Sequence, residues 1–176
     1  SDAPMLICKT RGLTKEQKVI KRLFDIIISS IGLIIASPIM AAVAIAIKIN
    51  DGGPVFFKQN RVTENGRIFN VLKFRSMIVD ADKQGAKGAT DNDDRITPVG
   101  KVIRPLRIDE LPQLFNVLKG ELSIVGPRPH ALQAKAANTL YYEAVEGYFA
   151  RHKVKPGITG WAQISGWRGE TDTLDK

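Results

Sequence analysis

The sequence offers a single cysteine, Cys8, with no second thiol to pair with it, which excludes a disulfide framework and points to a reducing, cytoplasmic setting for the body of the protein. Its two histidines, His130 and His152, have no ligand spacing and read as structural. Aromatic residues make up only 7% of the chain, and both tryptophans, Trp161 and Trp167, sit in glycine-rich turns. The interleaving of cations and aromatics that a nucleic-acid groove uses is therefore missing. Also missing is a strand-based nucleotide-binding unit, which argues against a nucleotide-sugar glycosyltransferase of another fold with Asp91 or Asp93 at a metal site. The acidic run DNDD at 91–94 does not open a calcium loop, because its sixth and twelfth places hold Ile96 and Val102 instead of glycine and an acid. No internal repeat or low-complexity tract is present.

What is present fits one catalytic unit, since 176 residues can bury a real core but are too few for two ordinary domains. Lysine and arginine number 26 against 18 acids, a formal net charge of +8, which implies an anionic partner such as lipid headgroups, phosphorylated substrates or nucleic acid.

Between Asp25 and Lys48 lie twenty-two residues without a charge, long enough as a helix to cross a bilayer. Two features argue against a straight crossing. Ser37-Pro38 falls near the middle, where proline removes a backbone donor and a sharp bend is expected. Both flanks are basic, with Lys9, Arg11, Lys15, Lys18, Lys21 and Arg22 before the run and Lys48, Lys58, Arg61 and Arg67 after it. One crossing would put a basic flank on the wrong side. A broken helix that enters and leaves by one face satisfies both flanks, with the backbone groups freed by Pro38 bonded to Ser37 or to neighbouring helices. A kinked spanning helix is the plainer alternative.

Beyond the run, PVFFKQ and RIFNVLKF flank Thr63-Glu64-Asn65-Gly66 and predict a β-hairpin. Residues 84–94 combine glycine with charge and read as a surface loop. Thr97-Pro98 reads as a helix N-cap with proline at the first position, and the helix ends before Pro105. In DELPQLFNVLKG, Asp109 reads as an N-cap, Leu111, Leu114, Phe115 and Leu118 form an apolar face, and Gly120 suits the C-terminal cap. Residues 126–129 require a stiff non-helical turn, and 130–150 have helix-compatible composition. The fold class is thus α+β: a membrane helix with a small body of short and amphipathic helices plus a β-hairpin.

Asp109 and Glu110 are adjacent carboxylates pointing roughly 100° apart on a helical turn, so one can face a reacting atom while the other holds a cation. An ionised aspartate is a competent nucleophile on phosphorus, and Mg²⁺ on the second carboxylate would neutralise a diphosphate. The bland reading is a helix cap beside a solvated acid, and a helix dipole favours the ionised form of both. Cations suited to a diphosphate stand nearby in sequence: Arg104, Arg128 in its proline-stiffened turn, and Lys73 and Arg75 at the end of the hairpin.

Taken together, these segments resemble the bacterial sugar transferase family, the monotopic phosphoglycosyl transferases. The resemblance runs from about Lys21 to Thr173 and is carried, in order, by KRLFD before the serine-proline-interrupted run, GGPVFFKQNRV, LKFRSM, IDELPQLFNVLKGELSIVGPRPH and RHKVKPGITGWAQISGWRGETDT. It implies a re-entrant membrane helix over 19–49 kinked at Ser37 and Pro38, a cytoplasmic catalytic domain over 50–176, and residues 1–18 as the tail of an upstream region. It further implies a ping-pong reaction in which Asp109 is the nucleophile and Glu110 the Mg²⁺ ligand. Arg104 and Arg128 fall where the family binds phosphate, and Pro127-Arg128-Pro129 matches a turn associated with the uridine nucleotide. The implied partners are a UDP-hexose, undecaprenyl phosphate and membrane lipids of the bacterial inner membrane, with no nucleic acid; a homo-oligomer is left open. Arg107 departs from the small hydroxyl residue that the family commonly carries there. The GWRGETDT segment resembles the branch handling UDP-glucose or UDP-galactose in exopolysaccharide synthesis. The chain reads as a fragment of a longer protein, truncated at its C-terminus. The rival from another class is a membrane-anchored basic module that binds anionic lipid or nucleic acid without catalysis.

Overall fold

In a computed structural model, residues 13–79, 81, 93–129, 135–136, 139–140, 154–160 and 164 are described. Helix α1 (Lys15–Asp51) holds the apolar run. It starts on a reciprocal capping box, in which the Gln17 amide donates to Thr14 Oγ1 at 3.3 Å and the Thr14 amide donates to Gln17 Oε1 at 3.0 Å. It stops at Gly52, whose φ of 69° few other residues tolerate. The helix is continuous through Pro38, so the two segments expected on either side of Ser37-Pro38 are one element. Proline leaves the Ile34 carbonyl without its usual amide, and the Ser37 hydroxyl donates to that oxygen at 2.8 Å. The adjacent serine is thus the local repair that the sequence predicts.

The body begins with the expected hairpin, β1 (Phe56–Val62) antiparallel to β2 (Ile68–Phe74), joined through a short 3₁₀ turn at Glu64–Gly66. Helix α2 (Pro98–Ile103) follows, with the Gly100 amide donating to Thr97 Oγ1 at 3.0 Å as the cap and Pro98 at the first position. Gly100 is required by space, because a Cβ there would lie 2.0 Å from the Ser76 carbonyl oxygen. A 3₁₀ turn at Ile108–Glu110 leads to α3 (Gln113–Lys119), which ends at Gly120 with φ 82°. Strand β3 (Ser123–Val125) pairs in parallel with β6 (Gly157–Thr159). Two-residue strands β4 (Lys135–Ala136) and β5 (Thr139–Leu140) pair antiparallel, which corrects the expectation of helix for that part of 130–150. Helix-compatible composition is a weak constraint, and the strand pairing supplies the backbone partners instead. His130, His152, Trp161, Trp167 and Cys8 lie outside the described residues, as does most of the 84–94 loop.

Strand β2 is the wall that two cores share. Phe74 joins Ala36, Met40, Val43 and Ile47 of α1 and Ile103 of α2, while Phe69 and Val71 pack with Val117 and Leu122. Asn116, buried on α3, completes the free edge of β2: its amide donates to the Asn70 carbonyl at 2.7 Å and its Oδ1 accepts from the Leu72 amide at 2.9 Å.

Helix α1 meets this body along its length, through the buried Ser29, Ala36, Met40 and Val43, and polar contacts hold both its ends. Near its start, Arg22 donates to the last carbonyls of α3, Val117 at 2.5 Å and Leu118 at 2.6 Å. Asp25, 2% exposed, accepts from Ser123 Oγ at 2.8 Å and from the Ile124 amide at 2.9 Å. Near its end, Ile47 is buried in the first core and Asp51 pairs with Arg75. Away from the body the helix exposes a broad apolar surface that includes Ile27, Ile31, Ile34, Ile35, Ile45 and Ile49. So large an exposed apolar face is foreign to a water-soluble monomer and suits a lipid contact.

Candidate active site

The route from α2 to α3 fixes the carboxylate pair. After Ile103 the chain turns on Arg107, a non-glycine residue with φ 57°, whose amide donates to the Arg104 carbonyl at 3.0 Å. The left-handed conformation costs a residue with a Cβ on the order of 1 kcal/mol. Next come Asp109 and Glu110 on the 3₁₀ turn, with Leu111 and Pro112 between them and α3. Asp109 is therefore not the N-cap of α3; that place belongs to Pro112, which has no capping side chain. The bland reading of Asp109 as a cap loses its basis.

The two carboxylates differ in their surroundings. Glu110 Oε1 receives the Lys73 ammonium at 3.0 Å and stands 3.6 Å from the Arg107 guanidinium, leaving Oε2 without a partner among the described residues. Burial pushes the Glu110 carboxyl up, but Lys73, followed by Arg107 and Arg128, outweighs burial and holds it below the usual glutamate range. Asp109 makes no side-chain hydrogen bond to another described residue. Its burial pushes the carboxyl above the usual aspartate range, opposed by Lys73 and Arg104 and reinforced by the Glu110 charge. The expectation that a helix dipole would favour both ionised forms is thus corrected for Asp109: it stands on a 3₁₀ turn, and desolvation dominates.

Of the candidate phosphate-binding cations, Lys73, Arg104 and Arg128 act on this pair, and Arg104 also reaches Ser76 Oγ at 3.4 Å. Arg75 is placed otherwise. It is 6% exposed, is packed over Gly53 and is paired with Asp51 at the end of α1. Pro127, Arg128 and Pro129 lie in the expected non-helical turn, which is tied to β6: the Gly126 amide donates to the Thr159 carbonyl and the Gly157 amide to the Pro127 carbonyl, both at 2.9 Å. Here two backbones touch, since a Cβ on Gly157 would lie 2.1 Å from the Gly126 nitrogen. Asp93, a rival metal ligand, is occupied by Arg95 at 2.6 Å, which lowers its carboxyl to about 2.

One site residue escapes the sequence reading. Arg61, on the β1 face that carries Phe57 and Gln59, donates to Gln59 Oε1 at 2.7 Å and reaches the Pro129 carbonyl at 3.5 Å. Burial and the Arg128 charge lower its pKa, against the pull of Glu110. The period-2 alternation of β1, which puts residue 61 on the same face as Lys73 of β2, is the signal that could have found it.

No group of three or more histidine, cysteine, aspartate or glutamate side chains gathers among the described residues. A metal at the dyad would therefore rest on one or two carboxylate oxygens, with water and ligand phosphate completing its shell, which is the way Mg²⁺ is commonly held. Glu110 Oε2, which has no partner among the described residues, fits that use.

The family model for bacterial sugar transferases matches residues 16–176. The chain belongs to the bacterial sugar transferase family. Among relatives of this transferase, the UDP-glucose:undecaprenyl-phosphate glucose-1-phosphate transferase of Escherichia coli K12 is 50% identical over 164 residues, covering 93% of this chain and 35% of the relative. The undecaprenyl-phosphate glucose phosphotransferase of Komagataeibacter xylinus is 51% identical over 172 residues, covering 97% of this chain and 32% of the relative. The exopolysaccharide production protein PSS of Rhizobium leguminosarum bv. phaseoli is 47% identical over 155 residues, covering 88% of this chain and 78% of the relative. This transferase chain thus spans about a third of the length of the first two relatives.

Proposed function

We propose that this chain transfers a hexose-1-phosphate from a UDP-hexose to undecaprenyl phosphate, releasing UMP, at the cytoplasmic face of the bacterial inner membrane. The observation that carries the reading is the unequal carboxylate pair. Glu110 is charged and tied to Lys73, while Asp109 makes no side-chain hydrogen bond to another described residue and lies in the field of Lys73 and Arg104. A carboxylate without a strong hydrogen-bond donor keeps its nucleophilicity.

Asp109 attacks the β-phosphorus of the UDP-hexose, the bond from that phosphorus to the bridging oxygen breaks, and UMP departs with the electron pair. An oxygen of undecaprenyl phosphate then attacks the same phosphorus and displaces Asp109, which regenerates the free carboxylate. Lys73, Arg104 and Arg128 hold the phosphate oxygens, and the Pro127–Pro129 turn holds the nucleotide. Glu110 Oε2 would hold Mg²⁺, whose charge neutralises the diphosphate. The names of the relatives make UDP-glucose the first donor to try.

The membrane reading follows from α1. At about 1.5 Å per residue its 37 residues reach roughly 55 Å, yet both ends hold the same body. A helix crossing a hydrocarbon core about 30 Å thick would put those ends on opposite sides. A re-entrant seat, with both ends on the cytoplasmic face, accommodates the contacts and the exposed apolar face together.

The test is incubation of the enzyme with UDP-glucose alone. The expected result is a gain of one hexose phosphate in mass and release of about one equivalent of UMP, both abolished in Asp109→Asn. Near-normal turnover by that variant, or an adduct on another residue, would end the covalent reading.

A further inference from the structure

A cavity of about 250 Å³ is lined by Thr63, Glu64, Asn65, Arg67, Gly120 and Lys155, none of which belongs to the dyad or its cations. It opens where the hairpin turn, the end of α3 and the start of α1 meet. A Cβ added at Gly120 would lie 3.5 Å from both the Arg22 guanidinium and the Lys155 ammonium, so these two cations close on one glycine. The charges around the cavity do not balance. Glu64, its lining carboxylate, is engaged by Lys18 at 3.1 Å. Arg22 is held on carbonyls, and neither Arg67 nor Lys155 makes a side-chain hydrogen bond or ion pair with a described residue. Burial, then the nearby Arg22 with a smaller share from Arg67, lowers the pKa of Lys155 against the pull of Glu64 and Asp25.

The position of the cavity indicates where a balancing anion comes from. The adjoining turns of α1 expose Val19, Ile20, Leu23 and Phe24, the start of the apolar face. A cationic cleft at the edge of such a face stands at headgroup depth when the face is in lipid. We propose that the cleft formed by Arg67, Lys155 and Arg22 beside Gly120 binds the phosphate diester of an anionic phospholipid headgroup. The inference rests on the membrane seat of α1, but the binding itself does not require a bilayer to be measured.

The experiment uses the full chain in a neutral detergent with three soluble probes: dihexanoyl phosphatidylglycerol below its micellar concentration, dihexanoyl phosphatidylcholine, and inorganic phosphate. Saturable binding of the phosphatidylglycerol is expected, weakened at least about tenfold in Arg67→Gln/Lys155→Gln and by less than about twofold in the control Lys58→Gln/Lys101→Gln. Sugar-phosphate transfer by the cleft variant in detergent should stay unchanged, which separates failure of this site from failure of the catalytic reading. Equal loss in the control pair, equal binding of phosphatidylcholine, or binding of inorganic phosphate without the lipid would each overturn the assignment.

Discussion

The Lys73 ammonium stands 3.0 Å from Glu110 Oε1, joining the end of β2 to the carboxylate turn before α3. A single cation thereby keeps Glu110 ionised and also opposes the desolvation of Asp109.

Replacing that cation tests the coupling. Lys73→Met keeps the aliphatic stem and removes the charge, so both carboxyls should move to higher pKa. A charged hydrogen bond of this kind contributes about 1.5–3 kcal/mol, which predicts a fall of roughly tenfold to a hundredfold in kcat/KM. The acid limb of the pH–rate profile should shift upward as well. A loss of rate with an unmoved acid limb would leave Lys73 as a substrate contact only.

The opposite shifts of the two carboxyls predict opposite effects on stability. Folding raises the Asp109 pKa, so the folded state favours its protonated form; its destabilising effect is absent well below 3.8 and complete once the pH exceeds the folded value. Folding lowers the Glu110 pKa, so its contribution is present above 4.5 and is lost as the pH falls through the folded value. Thermal unfolding in detergent at pH 7.5 should therefore show Asp109→Asn more stable than the wild type, by about 2 °C, and Glu110→Gln less stable. Both differences should shrink toward pH 3. A lower Tm for Asp109→Asn at pH 7.5 would contradict the burial argument.

Much of this was legible in the residues. The hairpin followed from the apolar strands around Asn65-Gly66, α2 from Thr97-Pro98, and the end of α3 from Gly120, because each is a local rule satisfied by a few neighbouring atoms. The carboxylate pair and its cations were visible as residue types, but their unequal surroundings depend on Lys73 arriving from another element. The Asp109 cap failed because Arg107 takes a left-handed conformation and starts a 3₁₀ turn first, a choice that propensity does not encode. Arg61 was counted as flanking charge, and Asp25 only marked the edge of the apolar run. Strand alternation puts Arg61 on the Lys73 face but cannot report its contact 68 positions away, and no local pattern reports the contact of Asp25 99 positions away.

Gly157 lies where the backbone of β6 passes the Pro127–Pro129 turn, proposed above to hold the nucleotide. A methyl group on it would meet the Gly126 nitrogen at 2.1 Å, so Gly157→Ala must displace Gly126 and with it the Pro127–Pro129 turn that follows. Overpacking of this kind costs about 1–3 kcal/mol. The KM for the UDP-sugar should rise at least about tenfold with a smaller change in kcat, measured at saturating polyprenyl phosphate. An unchanged KM would detach the turn from nucleotide binding.

Asp25 bears on the seating of α1. It is buried, and its removal strands the Ile124 amide and the Ser123 hydroxyl hydrogen, while the Lys21 ammonium, 3.9 Å from its carboxylate, keeps Ser123 Oγ and the Val125 carbonyl as acceptors. Asp25→Ala should lose roughly 3 kcal/mol of stability in detergent denaturation, and Asp25→Asn less, because the amide oxygen still accepts one hydrogen bond. Equal stability of the two variants would show that the acceptor oxygen contributes nothing to docking.

The last prediction concerns which side of the membrane each end of α1 occupies. Lys18 and Lys48 lie at opposite ends of the apolar stretch, both exposed, and the body grips the helix just inside them, through Asp25 with Ser123 and through Ile47 with its core. One small body cannot hold both sites if a hydrocarbon layer separates them. Cys8 is the only native cysteine, so a Cys8→Ala background allows clean labelling of Lys18→Cys and Lys48→Cys in sealed vesicles of known orientation. A membrane-impermeant maleimide should reach both positions from the cytoplasmic side and neither from the other. Labelling from opposite faces would mean that α1 spans the bilayer, and the docking of both its ends on one body, the basis of the re-entrant seat, would be wrong.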